Sequence, residues 1–373
     1  MCKSILLPVP KQNSKSSKVK LIIAAVFAVL LFLLILAAGH PQAVERYYSD
    51  CIYPIVCRLL HPVFNLFPFS VGDVLYILVV AYLIYTLFRL IRLAIKKEFK
   101  RAGVFLLGLL IGVETGILIF YLFWGMNYFR LPAGERLNLR DSTYTTPDLE
   151  TVTAILIDSA NVCRARVTPV DLMQNNKDIF QTAIQAVSKL SGSSTNFHTY
   201  DPKVKPSILT PLLNYLGTSG YYNPFTSEAQ INYQMPVFDR PFVACHELSH
   251  QMGYGAEDEA NFVGFLAGTG SHDRLLRYSA YQAAVGEFMR ALYFRDSLCN
   301  KELRPRISVA VHNDFKAERT YWRSYQNKAG ILSGIFYDKF LKANNQPQGI
   351  DTYNRMVQLI MAMYRRGTIV DSP

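Results

Sequence analysis

Three uninterrupted apolar runs constrain this chain before anything else does. Residues 21–39 carry no charge, 74–93 stay apolar until Arg89 and Arg92 at the end, and 103–124 hold one charged residue, Glu114. Each run approaches the ~20 residues that a helix needs to cross a bilayer. In lipid, a helix satisfies its own backbone polar groups, so runs of this kind predict three membrane-spanning helices. Glu114 is then a carboxyl among apolar neighbours, and a helix–helix contact is the expected role for it.

The charge distribution supports this reading and argues against nucleic acid as a partner. The 373-residue chain has a formal net charge of +11. Residues 1–130 hold 14 Lys and Arg against 5 Asp and Glu, whereas residues 131–373 hold 25 against 23. The basic excess belongs to the part that meets the membrane, and no basic stripe follows it. Lys3, Lys11, Lys15, Lys18 and Lys20 precede the first run. Arg89, Arg92, Lys96, Lys97, Lys100 and Arg101 gather between the second and third. By the preference of Lys and Arg for the cytoplasmic side, the N-terminus and second loop are expected inside. Everything after about Asn127 is then extracytoplasmic. A cleaved leader ending near Ala37-Ala38-Gly39 is the alternative for the first run and leaves the same topology. The expected organisation is a cytoplasmic tail (1–20), a membrane domain (21–130) and an outer domain (131–373). Trp124, Tyr128 and Phe129 are expected as an interfacial aromatic belt. Cys51 and Cys57 share the outer loop, where pairing is possible. Cys163, Cys245 and Cys299 are isolated, and Cys2 follows no lipoprotein signal.

Chemistry concentrates in the outer domain. His246-Glu247-Leu248-Ser249-His250 places two imidazoles four residues apart, on one face of a helix. Glu247 projects about 100° away from His246, where its carboxylate can reach a water without being a ligand. Pro241 marks the first turn of this helix, and Gly253 and Gly255 break it after His250. A second helix opens near Ala256, with acids in its first turn. A catalytic zinc takes three protein ligands and keeps one open position. Glu257, Asp258 and Glu259 are the candidates for the third. Glu259 is the expected ligand, because Ala260 beside it permits close packing and Phe262 and Phe265 form the apolar face. The other acids are then expected to orient the imidazole rings.

The rest of the outer domain reads as mainly α, with helical spacing over 147–162, 171–190, 275–296, 314–325, 335–343 and 351–365. Residues 205–233 are rich in Tyr, Gly, Pro and Thr and predict a small sheet just ahead of the ligand helix. An edge strand there can carry an extended peptide across the metal, or serve as a plain hairpin. The expected reaction is hydrolysis of a peptide bond in a peptide or protein substrate, with Zn2+ as cofactor and Glu247 as general base. His272, Tyr278, Tyr281 and Arg277 are candidates for oxyanion or substrate contacts. The rival reading is a non-catalytic, membrane-anchored binding or scaffold protein with a structural zinc. That reading needs a fourth Cys or His ligand, for which Cys245 and His272 are available.

The two histidines followed by Glu259-Ala260-Asn261-Phe262 resemble the gluzincin type of zinc metallopeptidase. The three leading spans, Trp124-Gly125-Met126-Asn127-Tyr128-Phe129-Arg130, Gly220-Tyr221-Tyr222-Asn223-Pro224-Phe225 and Tyr337-Asp338-Lys339-Phe340-Leu341-Lys342 are similar to an uncharacterised bacterial group of membrane-anchored zincins, domain of unknown function family 3810. The resemblance implies a zincin-like α+β domain on the outer face of a bacterial cytoplasmic membrane. Only eight residues separate His250 from Glu259, a departure from the longer spacing of many gluzincins. Ala256 stands where a metzincin would carry its third histidine.

Overall fold

The computed structural model describes residues 14–139, 143–347, 349 and 354–367. Cys2, Lys3 and Lys11 lie outside the described residues, as does the 351–353 start of the last expected helix. Contacts sort the chain into two units, Met1–Gly39 with Tyr76–Leu122, and His40–Leu75 with Phe123–Pro373.

The first unit is built from helix Ser14–Ala38 and most of helices Val71–Ile95 and Phe99–Phe123, and all three helices are long and apolar enough to cross a membrane. Their large apolar side chains mostly face outward, as lipid-contacting surfaces do, while Glu114 is buried. The three helices extend the expected spans by a few residues at most ends.

The second unit is mostly helical with one small sheet. Helix Thr146–Arg166 opens with a capping box, in which Thr145 and Asp148 satisfy each other's backbone N–H. Asn175 and Asp273 cap Asn176–Ser191 and Arg274–Arg295 in the same way through single side-chain bonds. The sheet has the order β1 (Val204–Pro206), β3 (Glu228–Ile231), β2 (Gly220–Asn223). β1 runs parallel to β3, with Val204 opposite Ala229, and β2 runs antiparallel to it, with Tyr222 opposite Ala229. Helix Thr210–Leu216 fills the connection that a parallel pair requires.

Helix Arg240–Gln251, which carries both motif histidines, sits at the centre of this unit. It packs on β3, on Asn176–Ser191, on Glu257–Thr269 and on Arg274–Arg295. Leu248, Ala244 and Cys245 are buried in the shared core with Phe262, Val263, Leu276 and Phe288. Cys245 is thus a packing residue, as its position beside His246 suggested.

Residues 40–75, read from sequence as a loop between spans, pack into this second unit. Tyr53 is fully buried and its hydroxyl donates to the Gln251 carbonyl at 2.9 Å. Trp124 and Tyr128 are buried rather than displayed as a belt. The Trp124 indole N–H donates to the His250 carbonyl at 3.0 Å. Helices leave their last carbonyls without intrahelical partners, and these two side chains satisfy a pair of them. Cys57 is buried and Cys51 exposed, and they remain separate thiols. Buried Lys205 and Glu228 form an ion pair on the sheet, and Glu228 also accepts from the Gly72 backbone N–H at 2.6 Å.

Candidate metal centre

The ligand helix ends in a turn that fixes one of its own histidines. Gly253 adopts φ +84°, a left-handed conformation that suits glycine. The Gly253 N–H bonds the His250 carbonyl at 3.0 Å and the Tyr254 N–H bonds the Ser249 carbonyl at 3.2 Å. This paired pattern is a Schellman motif. It folds the chain back so that the Tyr254 carbonyl accepts from His250 Nδ1 at 2.6 Å. His246 Nδ1 is held by Asn261 Oδ1 at 2.8 Å. With each Nδ1 facing an oxygen acceptor, each Nε2 is left to face the site.

Glu257 occupies the place expected of Glu259. Its Oε2 lies 3.2 Å from His246 Nε2 and its Oε1 lies 3.6 Å from His250 Nε2. Glu259 turns the other way, accepting from the Ala133 backbone N–H at 2.6 Å and pairing with Arg136 at 3.3 Å. The reason is helical geometry. Glu257, Asn261, Gly264 and Gly268 follow one stripe of helix Glu257–Thr269, and Glu259 is about 200° round from Glu257. Gly264 brings that stripe close, since a Cβ there would sit 3.2 Å from the His246 backbone nitrogen. Asp258 is buried, with neither oxygen hydrogen-bonded among the described residues.

Glu247 completes the group. A metal-ligating atom of His246, of Glu247 and of His250 can be chosen so that all lie within 4.8 Å of one another. Glu247 is buried, and its Oε2 has no hydrogen-bond partner among the described residues. Gly220 of β2 lies directly over it, where a Cβ would stand 2.8 Å from Glu247 Oε1 and 2.8 Å from the Gln230 carbonyl. A glycine is required at this close approach. His246 and Glu257 are partly exposed, so the group is reachable from solvent on their side.

Burial and mutual charge divide the protons unevenly. Burial pushes the Glu247 carboxyl up to about 8, with the Glu257 charge adding to the rise against His246. Burial by itself would lower His246, but its bond to Glu257 and the Glu247 and Glu257 charges hold it up at about 9. His250 is driven down to about 4, chiefly by burial. Glu257, despite burial that would raise it, is held near 2 by its His246 bond and both imidazoles. Two imidazole nitrogens and an ionised carboxylate form a donor set of the kind zinc takes in hydrolytic sites, with the Glu247 carboxyl beside it. The orphaned Glu247 oxygen fits a role toward a water or substrate atom, not toward the protein.

The other residues singled out in the sequence lie elsewhere. His272 is exposed and contacts Lys189 at 3.3 Å. Tyr278 donates to Asp314 at 2.6 Å inside the core. Tyr281 packs edge-on against Phe265, with centroids 5.9 Å apart, and lies beside Arg277. The contribution missed from sequence is Tyr337, whose hydroxyl donates to Glu257 Oε1 at 2.6 Å. It comes from helix Lys328–Ala343, and nothing local in its sequence marks it as a site residue.

Over residues 48–361 the chain matches the family described as "Protein of unknown function (DUF3810)", and it belongs to that family. No curated protein and no solved structure matches it.

Proposed function

We propose that this membrane protein is a zinc-dependent peptidase whose second unit works on the non-cytoplasmic side. The observation that carries the reading is the convergence of His246, His250 and Glu257 from two helices, with Glu247 alongside. His246, His250 and Glu257 would hold the ion, in a zincin-like arrangement with the small sheet ahead of the ligand helix. A zinc ion there supplies Lewis acidity, which acidifies water and polarises a scissile carbonyl.

The chain's own residues do the rest. Glu247 accepts the proton of the attacking water and passes it to the leaving amine, a task suited to a carboxyl of raised proton affinity. Asn261 and the Tyr254 carbonyl keep the two rings in one orientation. Tyr337 stands at Glu257, where its hydroxyl can orient the carboxylate or turn toward substrate. Among the described residues, neither Cys245 nor His272 faces the site, which favours an open position over a closed structural one. The Lys and Arg excess before the first span and between the second and third supports the outward orientation.

The test is Glu247→Gln in the full-length protein, assayed on a peptide library. The zinc content is expected to match the parent, while turnover falls by ~10²–10⁴-fold, the usual contribution of a general base. Equal cleavage by parent and variant would falsify the catalytic assignment.

A further inference from the structure

Helix Lys328–Ala343 has one buried residue, Leu341. Gly330, Tyr337 and Leu341 lie on its inner side, where a Cβ on Gly330 would stand 2.9 Å from the Tyr215 carbonyl of helix Thr210–Leu216. The outer side is apolar. Ile331, Leu332, Ile335 and Phe336 follow helical spacing and are 68, 54, 49 and 64% exposed. A contiguous apolar face of this kind on a helix is a contact surface for something.

Both ends of the helix are tied to chain that adjoins a membrane span. At the C-terminal end, the Phe340 ring meets Tyr128 edge-on with centroids 6.0 Å apart. Asn345, just beyond, donates to the Tyr128 carbonyl at 3.1 Å. Tyr128 comes a few residues after helix Phe99–Phe123 ends. At the N-terminal end the neighbour is helix Thr210–Leu216, whose leading turn is held by Asp73. The Asp73 carboxylate accepts from the Ser207 hydroxyl at 3.1 Å and the Ile208 backbone N–H at 2.6 Å. Asp73 belongs to the first turn of Val71–Ile95. Exposed Lys328 and Lys339 lie on the same side of the helix, one before the apolar residues and one after them.

We propose that the Ile331, Leu332, Ile335 and Phe336 face inserts at the headgroup–acyl boundary of the bilayer, making Lys328–Ala343 an interfacial amphipathic helix. Its C-terminal end thus contacts chain five residues beyond one apolar helix, and its N-terminal end is joined through helix Thr210–Leu216 to the first turn of another. The lysines suit anionic lipid phosphates, with their stems lying along the apolar surface and their charges in the headgroup layer. This goes beyond the hydrolytic reading and stands without it.

The test uses the full-length chain with Cys2, Cys51 and Cys299 replaced by serine, in nanodiscs of phosphatidylcholine and phosphatidylglycerol. Nitroxide labels are attached to Ile331→Cys and Ile335→Cys, two exposed positions. Collision rates are read with oxygen, which concentrates in lipid, and with a nickel chelate, which stays in water. The labels at 331 and 335 are expected to favour oxygen several-fold over the chelate. Water-like accessibility at 331 and 335 would overturn the proposal. So would shielding from both agents, which would mean that protein covers the face, from a second copy or from this chain's own spans.

Discussion

His246 Nε2 and Glu257 Oε2 lie 3.2 Å apart with a proton between them, and a cation held by both would displace that proton. His246 is held up at about 9 and Glu257 down near 2, so at neutral pH the metal-free pair is imidazolium and carboxylate. Metal uptake must release the imidazolium proton. Zinc affinity is therefore expected to rise ~10-fold per pH unit between about pH 7 and the His246 value, then level off. Competition titrations against a chelator of known pH behaviour check this, and an affinity flat across that range would contradict it. The partnership of the two histidines was legible from spacing alone, because residues four apart share a helix face. Among three adjacent acids the sequence favoured Glu259, whereas Glu257 is the one beside the imidazoles, and a signal for it was present. Asn261 and Gly264 mark the stripe of the second helix that approaches the first, and Glu257 is the acid on that stripe. Tyr337 is 80 residues from Glu257 in sequence, and no local pattern joins them.

Between elements, close approach is set by glycines. On helix Glu257–Thr269, a Cβ at Gly268 would stand 2.5 Å from the Ala280 Cβ of helix Arg274–Arg295. Gly268→Ala must therefore push the two helices apart, at a cost of ~1–3 kcal/mol for overpacking a tight core. Thermal unfolding of the detergent-solubilised chain is expected to show a lowered midpoint for Gly268→Ala. Adding Ala280→Gly should restore part of the loss, since it removes the opposing methyl. A single variant as stable as the parent would mean that the interface is looser than described. Helix positions were largely visible beforehand from apolar periodicity, whereas the caps Thr145, Asn175 and Asp273 that fix where three of them begin emerged only with the structure. The sheet was placed in the right segment, but its order was not foreseen. Pairing β1 parallel to β3 across an intervening helix is a long-range choice that no short window encodes.

On the scale of the molecule, the segments flanking the apolar spans serve the site as well as the membrane. Tyr53 and Trp124 each bond a carbonyl at the end of the ligand helix, and Arg130 reaches the Gly253 carbonyl at 3.2 Å. The sequence showed the spans clearly, because bilayer thickness sets their length. It did not show that residues 40–75 join the second unit, because their partners lie far along the chain. The full chain is therefore the form in which to test the proposal that His246, His250 and Glu257 together hold one divalent cation. The most direct measurement is the zinc content of the purified full-length protein after equilibrium dialysis, compared among parent, Glu257→Gln and Glu259→Gln. About one zinc per chain is expected in the parent and in Glu259→Gln, and a large loss in Glu257→Gln. A parent that binds no zinc, or a Glu257→Gln variant that retains it while Glu259→Gln does not, would contradict it.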